Sequence, residues 1–355
     1  MTRPIHVSAS NIHGLGASQL VQSLLPALAA AGRDRLGTIF VPESGPLAGL
    51  AADLGLSAAK IARRLPNAAS RVVECLSTSR YYPVDGDMLV LGDLPLAIPG
   101  KQVLLVHRLH MVSGADTGSA SGNAKVAVSR WLFRRNAKYI HRAIVQSDIV
   151  GNELRDNFPA LDGRISVIPQ PAPRWLSVAA RKQRGEWNGE RPLRLFYPAS
   201  AYPHKNHALL YRYASDFGAR EDVHIVVTLD PEGADRPGML MPIGVQGEEG
   251  MRDQYHRADA LLFPSLAESY GLPLVEAMTL GLPIVVADLP YARSLCGDTA
   301  IYFDPMDSGA LDQAITELKQ RLSAGWQPDY TARLALVPRD WNDVAERMIA
   351  LFDLP

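Results

Sequence analysis

Short apolar runs alternate with amphipathic stretches along the chain. In the first half, residues 5–8, 37–41, 88–91, 103–107, 124–128, 143–146 and 165–168 form apolar runs with the length of buried strands. Residues 17–31, 132–142 and 150–157 carry apolar positions three and four apart, which predicts helices. The second half restarts the pattern at residues 193–197 and continues through 223–228, 260–263 and 284–287. Strands and helices in alternation predict an α/β fold built on parallel sheets.

The halves meet at Pro169-Gln170-Pro171-Ala172-Pro173, followed by a polar stretch up to Arg191. Proline stiffens a connection and cannot join a sheet, so residues 171–191 read as a linker. It separates a first domain, 1–170, from a second, 192–338. Within 339–355, Val344, Met348 and Leu351 share one face of a final helix.

Two glutamates, Glu268 and Glu276, stand out in the stretch ADALLFPSLAESYGLPLVEAMTLGLPIVVA, residues 258–287. The apolar run 260–263 leads into Glu268. Pro273 opens a helix, because the first helical position needs no amide donor. Glu276 follows in what reads as the first turn, and residues 283–287 form the next strand. One carboxylate therefore sits at a strand's C-terminal end and the other near a helix start, the edge where open parallel sheets bind ligands. Carboxylates accept hydrogen bonds from hydroxyls, so a polyhydroxylated ligand suits this edge.

The string ESYGLPLVEAMTLGLPIV resembles the donor-site signature of retaining GT-B glycosyltransferases of family 4, the glycosyl transferases group 1. The resemblance implies two Rossmann-like domains facing across a cleft, with the final helix crossing back to the first domain. It implies transfer of a hexose or deoxyhexose from a nucleotide diphosphate sugar to a glycan or glycolipid acceptor, in bacterial surface polysaccharide synthesis. It assigns Glu268 to the donor sugar hydroxyls, Glu276 to the ribose hydroxyls, and the Gly271 and Leu272 amides to the sugar or diphosphate.

Other loops resemble the family by position. Lys205 and Asn206, after the strand 193–197, resemble its Lys-Asn pair, whose lysine holds the diphosphate. Relatives often place an arginine four or five residues earlier. Here Ala201 and Ser200 stand there, leaving Ser200, His204, Arg108 or backbone amides as substitutes. The turn at Gly244 and Val245 resembles the nucleobase loop. His107, closing its strand, resembles the histidine directed at the donor sugar, with Arg108 where many relatives have aspartate and His110 as a weaker candidate. In Asn11-Ile12-His13-Gly14-Leu15-Gly16, Gly14 and Gly16 would admit a phosphate or acceptor at a helix start. A third glycine is missing at Gln19, which speaks against an NAD enzyme. No HxH, DxD or clustered Asp/His set predicts a metal, and the nucleotide sugar is a co-substrate, so no cofactor is expected. The residues leave open a nucleotide-sugar 2-epimerase and a non-catalytic sugar-binding subunit.

Composition adds boundaries. The 355 residues suit two domains, and 47% hydrophobic with 21% charged residues is a globular balance. A net charge of -1 gives no global case for nucleic acid. Residues 1–170 nonetheless hold 18 Lys and Arg against 12 Asp and Glu, and the remainder 18 against 25. Arg130, Arg134, Lys138 and Arg142 recur every four residues, with Phe133, Ala137, Ile140 and Ile144 on another side. This reads as a helix with a solvated basic face, or as a peripheral membrane contact for a lipid-linked acceptor. Ser147 reads as a helix N-cap. Cys75 and Cys296 form no CxxC pair, and MTRPIHVSAS lacks an apolar signal core. A cytoplasmic protein, at or near the inner membrane face, is the expectation.

Overall fold

The computed structural model describes residues 3–12, 15–61, 67–77, 81–82, 85–107, 120–177, 187–218, 221–231 and 238–355. The chain divides into two compact units, Met1–Gln170 with Pro338–Pro355, and Pro171–Val337.

In the first unit, β1 (Ile5–Ser8), β2 (Leu36–Pro42), β3 (Ala58–Ile61), β4 (Asp87–Val90), β5 (Gln102–Leu105), β6 (Ile140–Val145) and β7 (Ile165–Val167) pair in parallel. Their order among the described residues is β3-β2-β1-β4-β5-β6-β7. Strands β1, β4 and β5 are buried at every position, because helices cover both sheet faces. Successive side chains go to opposite faces. Leu89, Leu91, Val103 and Leu105 meet α1 (Leu15–Gly32), with α2 (Leu50–Asp53) nearby. Met88, Val90, Leu104 and Val106 meet a second core built from α3 (Asn67–Leu76), α4 (Ala120–Asn136) and α5 (Asp148–Asn157).

Two expectations in this unit fail. Residues 124–128 lie inside α4, not in a strand. Their apolar alternation is not a burial pattern: Ala124 and Val128 are exposed, while Leu132 and Phe133 further along the helix fill the core. The helix expected over 132–142 stops at Asn136, whose buried amide donates to the Cys75 and Pro95 carbonyls at 3.0 and 2.9 Å. A short 3-10 turn follows, and β6 begins at Ile140. The four basic residues therefore do not share a helix: Arg142 lies in β6, with its guanidinium on the Gly163 and Pro355 carbonyls. Ser147 does cap α5, accepting from the Val150 amide at 3.4 Å.

In the second unit, α6 (Arg174–Ser177) lies within the expected linker. Then come β8 (Leu193–Tyr197), α7 (His207–Phe217), β9 (Val223–Val227), β10 (Leu240–Pro242), α8 (Glu248–Arg257), β11 (Ala260–Phe263), α9 (Leu272–Thr279), β12 (Ile284–Ala287), α10 (Pro290–Cys296), β13 (Ile301–Phe303), α11 (Ser308–Ser323) and α12 (Thr331–Leu334). The parallel sheet runs β10-β9-β8-β11-β12-β13 among the described residues.

The chain then returns to the first unit as α13 (Trp341–Ala350), capped by Asp340. Trp341, Val344 and Met348 are buried in the core shared with α1. Arg35 pairs with Asp353 at 2.9 Å, and Lys101 donates to the Phe352 and Leu354 carbonyls at 2.8 Å. Among the described residues, no helix is long and apolar enough to cross a membrane.

Candidate functional site

The strand order of the second sheet reverses between β8 and β11. Loops leaving two such strands part in opposite directions and open a crevice at the sheet's carboxyl edge. Lys205 follows β8 and Glu268 follows β11. The lysine Nζ lies 2.5 Å from Glu268 Oε1. Both side chains are mostly buried, 17% and 13% exposed, so solvent screens the pair little.

Local geometry explains how Lys205 reaches that point. Pro203–Lys205 form a 3-10 turn that ends at Asn206, a non-glycine residue held at φ +56°. The Asn206 amide donates to the Pro264 and Pro305 carbonyls at 3.2 and 2.9 Å. Asn206 thus ties its loop to the ends of β11 and β13 and fixes where the lysine stands. The His204 carbonyl accepts from the Leu266 amide at 2.7 Å and the Ser265 hydroxyl at 3.2 Å, while its ring stacks on exposed Tyr202. Ser200 is exposed, and its carbonyl accepts from the Tyr202 amide at 2.8 Å. The Tyr291 hydroxyl donates to the Ser265 carbonyl at 2.6 Å; burial and the nearby Glu268 raise the pKa of Tyr291 and keep it a donor.

Gly271 precedes α9 at φ +102°, and a Cβ there would come within 3.1 Å of Leu274 Cδ1. Only glycine takes this turn without strain. Leu272 begins the helix, with Pro273 next. Glu276 is its fifth residue, in the second turn and not the first as expected. There the side chain points inward, 3% exposed, and accepts a hydrogen bond from the hydroxyl of Tyr255 on α8. Burial raises the Glu276 pKa to about 7, and the bond from Tyr255 opposes that rise. Gly244, at φ +75°, and Val245, 72% exposed, lie past the edge strand β10, just before α8.

In the first unit the order reverses between β1 and β4. The loop after β1 holds a buried polar cluster that the residue pattern did not reveal. The Asn11 amide donates to both Glu74 oxygens at 3.1 Å, and Tyr82 donates to Glu74. Ser10 meets the Tyr82 hydroxyl at 2.7 Å. Gly16 lies in α1, where a Cβ would meet nothing within 4 Å. Gly14, Arg108 and His110 lie outside the described residues. His107 follows β5; its backbone amide donates to Asp93 Oδ1 at 2.5 Å. Asp93 is held at φ +61°. The ring's Nε2 lies 3.2 Å from the Leu91 carbonyl, and Nδ1 lies 3.4 Å from the Gln146 amide.

The structure therefore brings Lys205 and Glu268 together, places Glu276 in a separate pair with Tyr255, and gives His107 its own frame in the first unit. Glu74, Tyr82, Asp93 and Tyr255 escape sequence reasoning as partners, since nothing in their local sequence marks which distant residue each will meet.

Solved structures share the fold. The whole chain superposes on WaaG, a glycosyltransferase involved in lipopolysaccharide biosynthesis, with TM-score 0.66 at 15% identity, covering 99% of this chain and 97% of that one. Sucrose-phosphate synthase from Thermosynechococcus elongatus gives 0.64 at 16%, covering 99% and 95%. The fold is GT-B. Residues 195–321 match the family model described as glycosyl transferases group 1. O-antigen chain mannosyltransferase B of Escherichia coli is 31% identical over 102 residues, 29% of this chain and 26% of that protein. The D-inositol 3-phosphate glycosyltransferase of Nocardia farcinica is 26% identical over 216 residues, 53% and 47% of the two chains. The chain thus matches about a quarter of the first relative's length and about half of the second's.

Proposed function

We propose that the protein is a retaining hexosyltransferase. It moves a hexose or deoxyhexose from a nucleotide diphosphate sugar to a glycan or lipid-linked acceptor in surface polysaccharide synthesis. The Lys205–Glu268 pair at the switch point carries this reading. The names of the O-antigen relatives favour mannose as the first sugar to test.

In the free protein the cation and carboxylate neutralise each other. Donor binding replaces one pair with two. Lys205 turns to the diphosphate, and Glu268 accepts the sugar's hydroxyls. As the bond from sugar to phosphate breaks, negative charge grows on the departing phosphate, where Lys205 stabilises it. The sugar passes through an oxocarbenium-like state, attacked on the face that the diphosphate leaves. The diphosphate takes the acceptor's proton, so the protein's work is positioning and charge stabilisation. The Gly271 and Leu272 amides, at the start of α9, suit the sugar or diphosphate. Gly244 and Val245 suit the base, and Glu276 the ribose hydroxyls. No resident metal enters this scheme. For a lipid-linked acceptor, exposed Val128 and Trp131 on α4, beside Arg134 and Arg135, are suited to peripheral membrane contact.

The test is transfer from a panel of nucleotide diphosphate sugars, mannose donors first, with the product's anomeric configuration read by NMR. Lys205→Ala should lower turnover by about a hundredfold or more. It should weaken nucleoside diphosphate binding more than monophosphate binding. A wild type that neither binds nor turns over any donor, or a variant with equal losses for both nucleotides, contradicts the assignment.

A further inference from the structure

Tyr255 is a fully buried tyrosine whose hydroxyl has a defined task. Its ring packs edge-on against Phe196 of β8, with centroids 5.1 Å apart at 89°. A phenylalanine would make the same contact. The hydroxyl adds a hydrogen bond to Glu276 Oε2. Glu276 forms no ion pair among the described residues. Three cations of the second unit are committed elsewhere: Lys205 to Glu268, Arg293 to Asp288, and Arg333 to the Ser294 and Leu295 carbonyls. The strands flanking α9 are apolar, Ala260–Phe263 and Ile284–Ala287. A buried, unpaired carboxylate lowers stability wherever it is ionised. A single donor from a neighbouring helix steers it without neutralising it.

We propose that Tyr255 is a positioning residue for a ribose subsite, holding Oε2 of Glu276 so that Oε1 is presented to the ribose hydroxyls of a bound nucleotide. This rests on the reading of Glu276 given above. Tyr255 stands on α8, the helix that follows Gly244 and Val245, so it also ties the base loop's helix to α9. Two consequences separate this role from mere burial. A carboxylate accepts from two hydroxyls better than a carboxylic acid does, so ribose binding draws on the ionised form of Glu276. The Glu276 carboxyl titrates near neutrality because it is buried, so affinity for a ribonucleotide should rise as pH passes through about 7. The Tyr255 bond favours the ionised carboxylate, so its loss should move that rise to higher pH. Burial keeps Tyr255 itself protonated throughout.

The experiment compares UDP, GDP, ADP and CDP with their 2′,3′-dideoxy forms, by calorimetry from pH 5.5 to 8.5. The proteins are the wild type, Tyr255→Phe and Glu276→Gln, each checked for folding by its melting curve. Phosphate ionisation is common to both members of each nucleotide pair and cancels. The wild type should prefer the ribonucleotide, with that preference about tenfold weaker at pH 6 than at pH 8. Glu276→Gln should abolish both the preference and its pH dependence. Tyr255→Phe should reduce the preference several-fold at pH 7 and shift its midpoint upward, leaving dideoxynucleotide affinity unchanged. If the wild type binds no nucleotide, or Glu276→Gln keeps the preference, the ribose reading of Glu276 falls and this inference with it. If Glu276→Gln loses the preference while Tyr255→Phe keeps the wild-type profile, only the role of Tyr255 is overturned.

Discussion

Burial makes the Glu276 carboxylate costly to ionise, and a stability prediction follows from that cost. Its folded-state pKa of about 7 lies above the ordinary 4.5, so the folded protein holds this proton more tightly than the unfolded chain does. The resulting stability is complete below about pH 4.5 and is lost as pH rises through 7. The shift corresponds to on the order of 3 kcal/mol. Glu276→Gln removes the titration while keeping an acceptor for Tyr255. Without nucleotide, this variant should melt above the wild type at pH 8 and close to it at pH 5. Its ribonucleotide affinity should fall about tenfold or more, since hydrogen bonds to charged groups contribute roughly 1.5–3 kcal/mol. A melting difference that is the same at both pH values would remove Glu276 as its source. The opposed changes in stability and binding are those of a residue kept for a ligand.

At the level of elements, the loop between β8 and α7 aims Lys205, and Asn206 holds that loop. Asn206→Gly keeps the left-handed backbone and loses the bonds to Pro264 and Pro305. Asn206→Ala loses both bonds and adds about 1–2 kcal/mol of backbone strain. Both should lower stability in urea titrations, alanine more than glycine, and both should lower turnover although neither removes a charge. Equal costs for the two variants would show that the backbone angle is not the constraint. The same loop shows what local pattern conveys. Strand β8 and the Pro-rich turn are legible in residues 193–203. The side-chain bonds of Asn206 are not, since they reach carbonyls 58 and 99 positions away. In α4 the pattern misleads: Ala124, Val126 and Val128 alternate like a strand, but the segment is helical, with Ala124 and Val128 exposed and Val126 half-buried.

For the whole molecule, α13 joins the first unit although it is last in the chain. Trp341 is 4% exposed in the core that α1 also fills. Trp341→Ala should lower the first unit's stability by about 3–5 kcal/mol. Calorimetric melting should show a lower transition, with nucleotide affinity retained below it because the residues assigned to nucleotide lie in the second unit. Loss of nucleotide affinity at temperatures where the protein is still folded would contradict that division.

The sequence by itself determined the α/β alternation, most of the strands near their final bounds, and the paired glutamates with their glycine turn. These depend on neighbours within about ten residues, where burial period and turn chemistry act directly. Only the tertiary structure decided that Glu276, one residue further into the helix than its spacing implied, lies against Tyr255. It decided that Asn11, Glu74 and Tyr82 meet beneath the loop after β1. It also decided that Lys205 meets Glu268, because only the sheet order sets β8 beside β11. The reason is physical: a buried polar group must find a partner, but which partner it finds depends on strand order and helix packing.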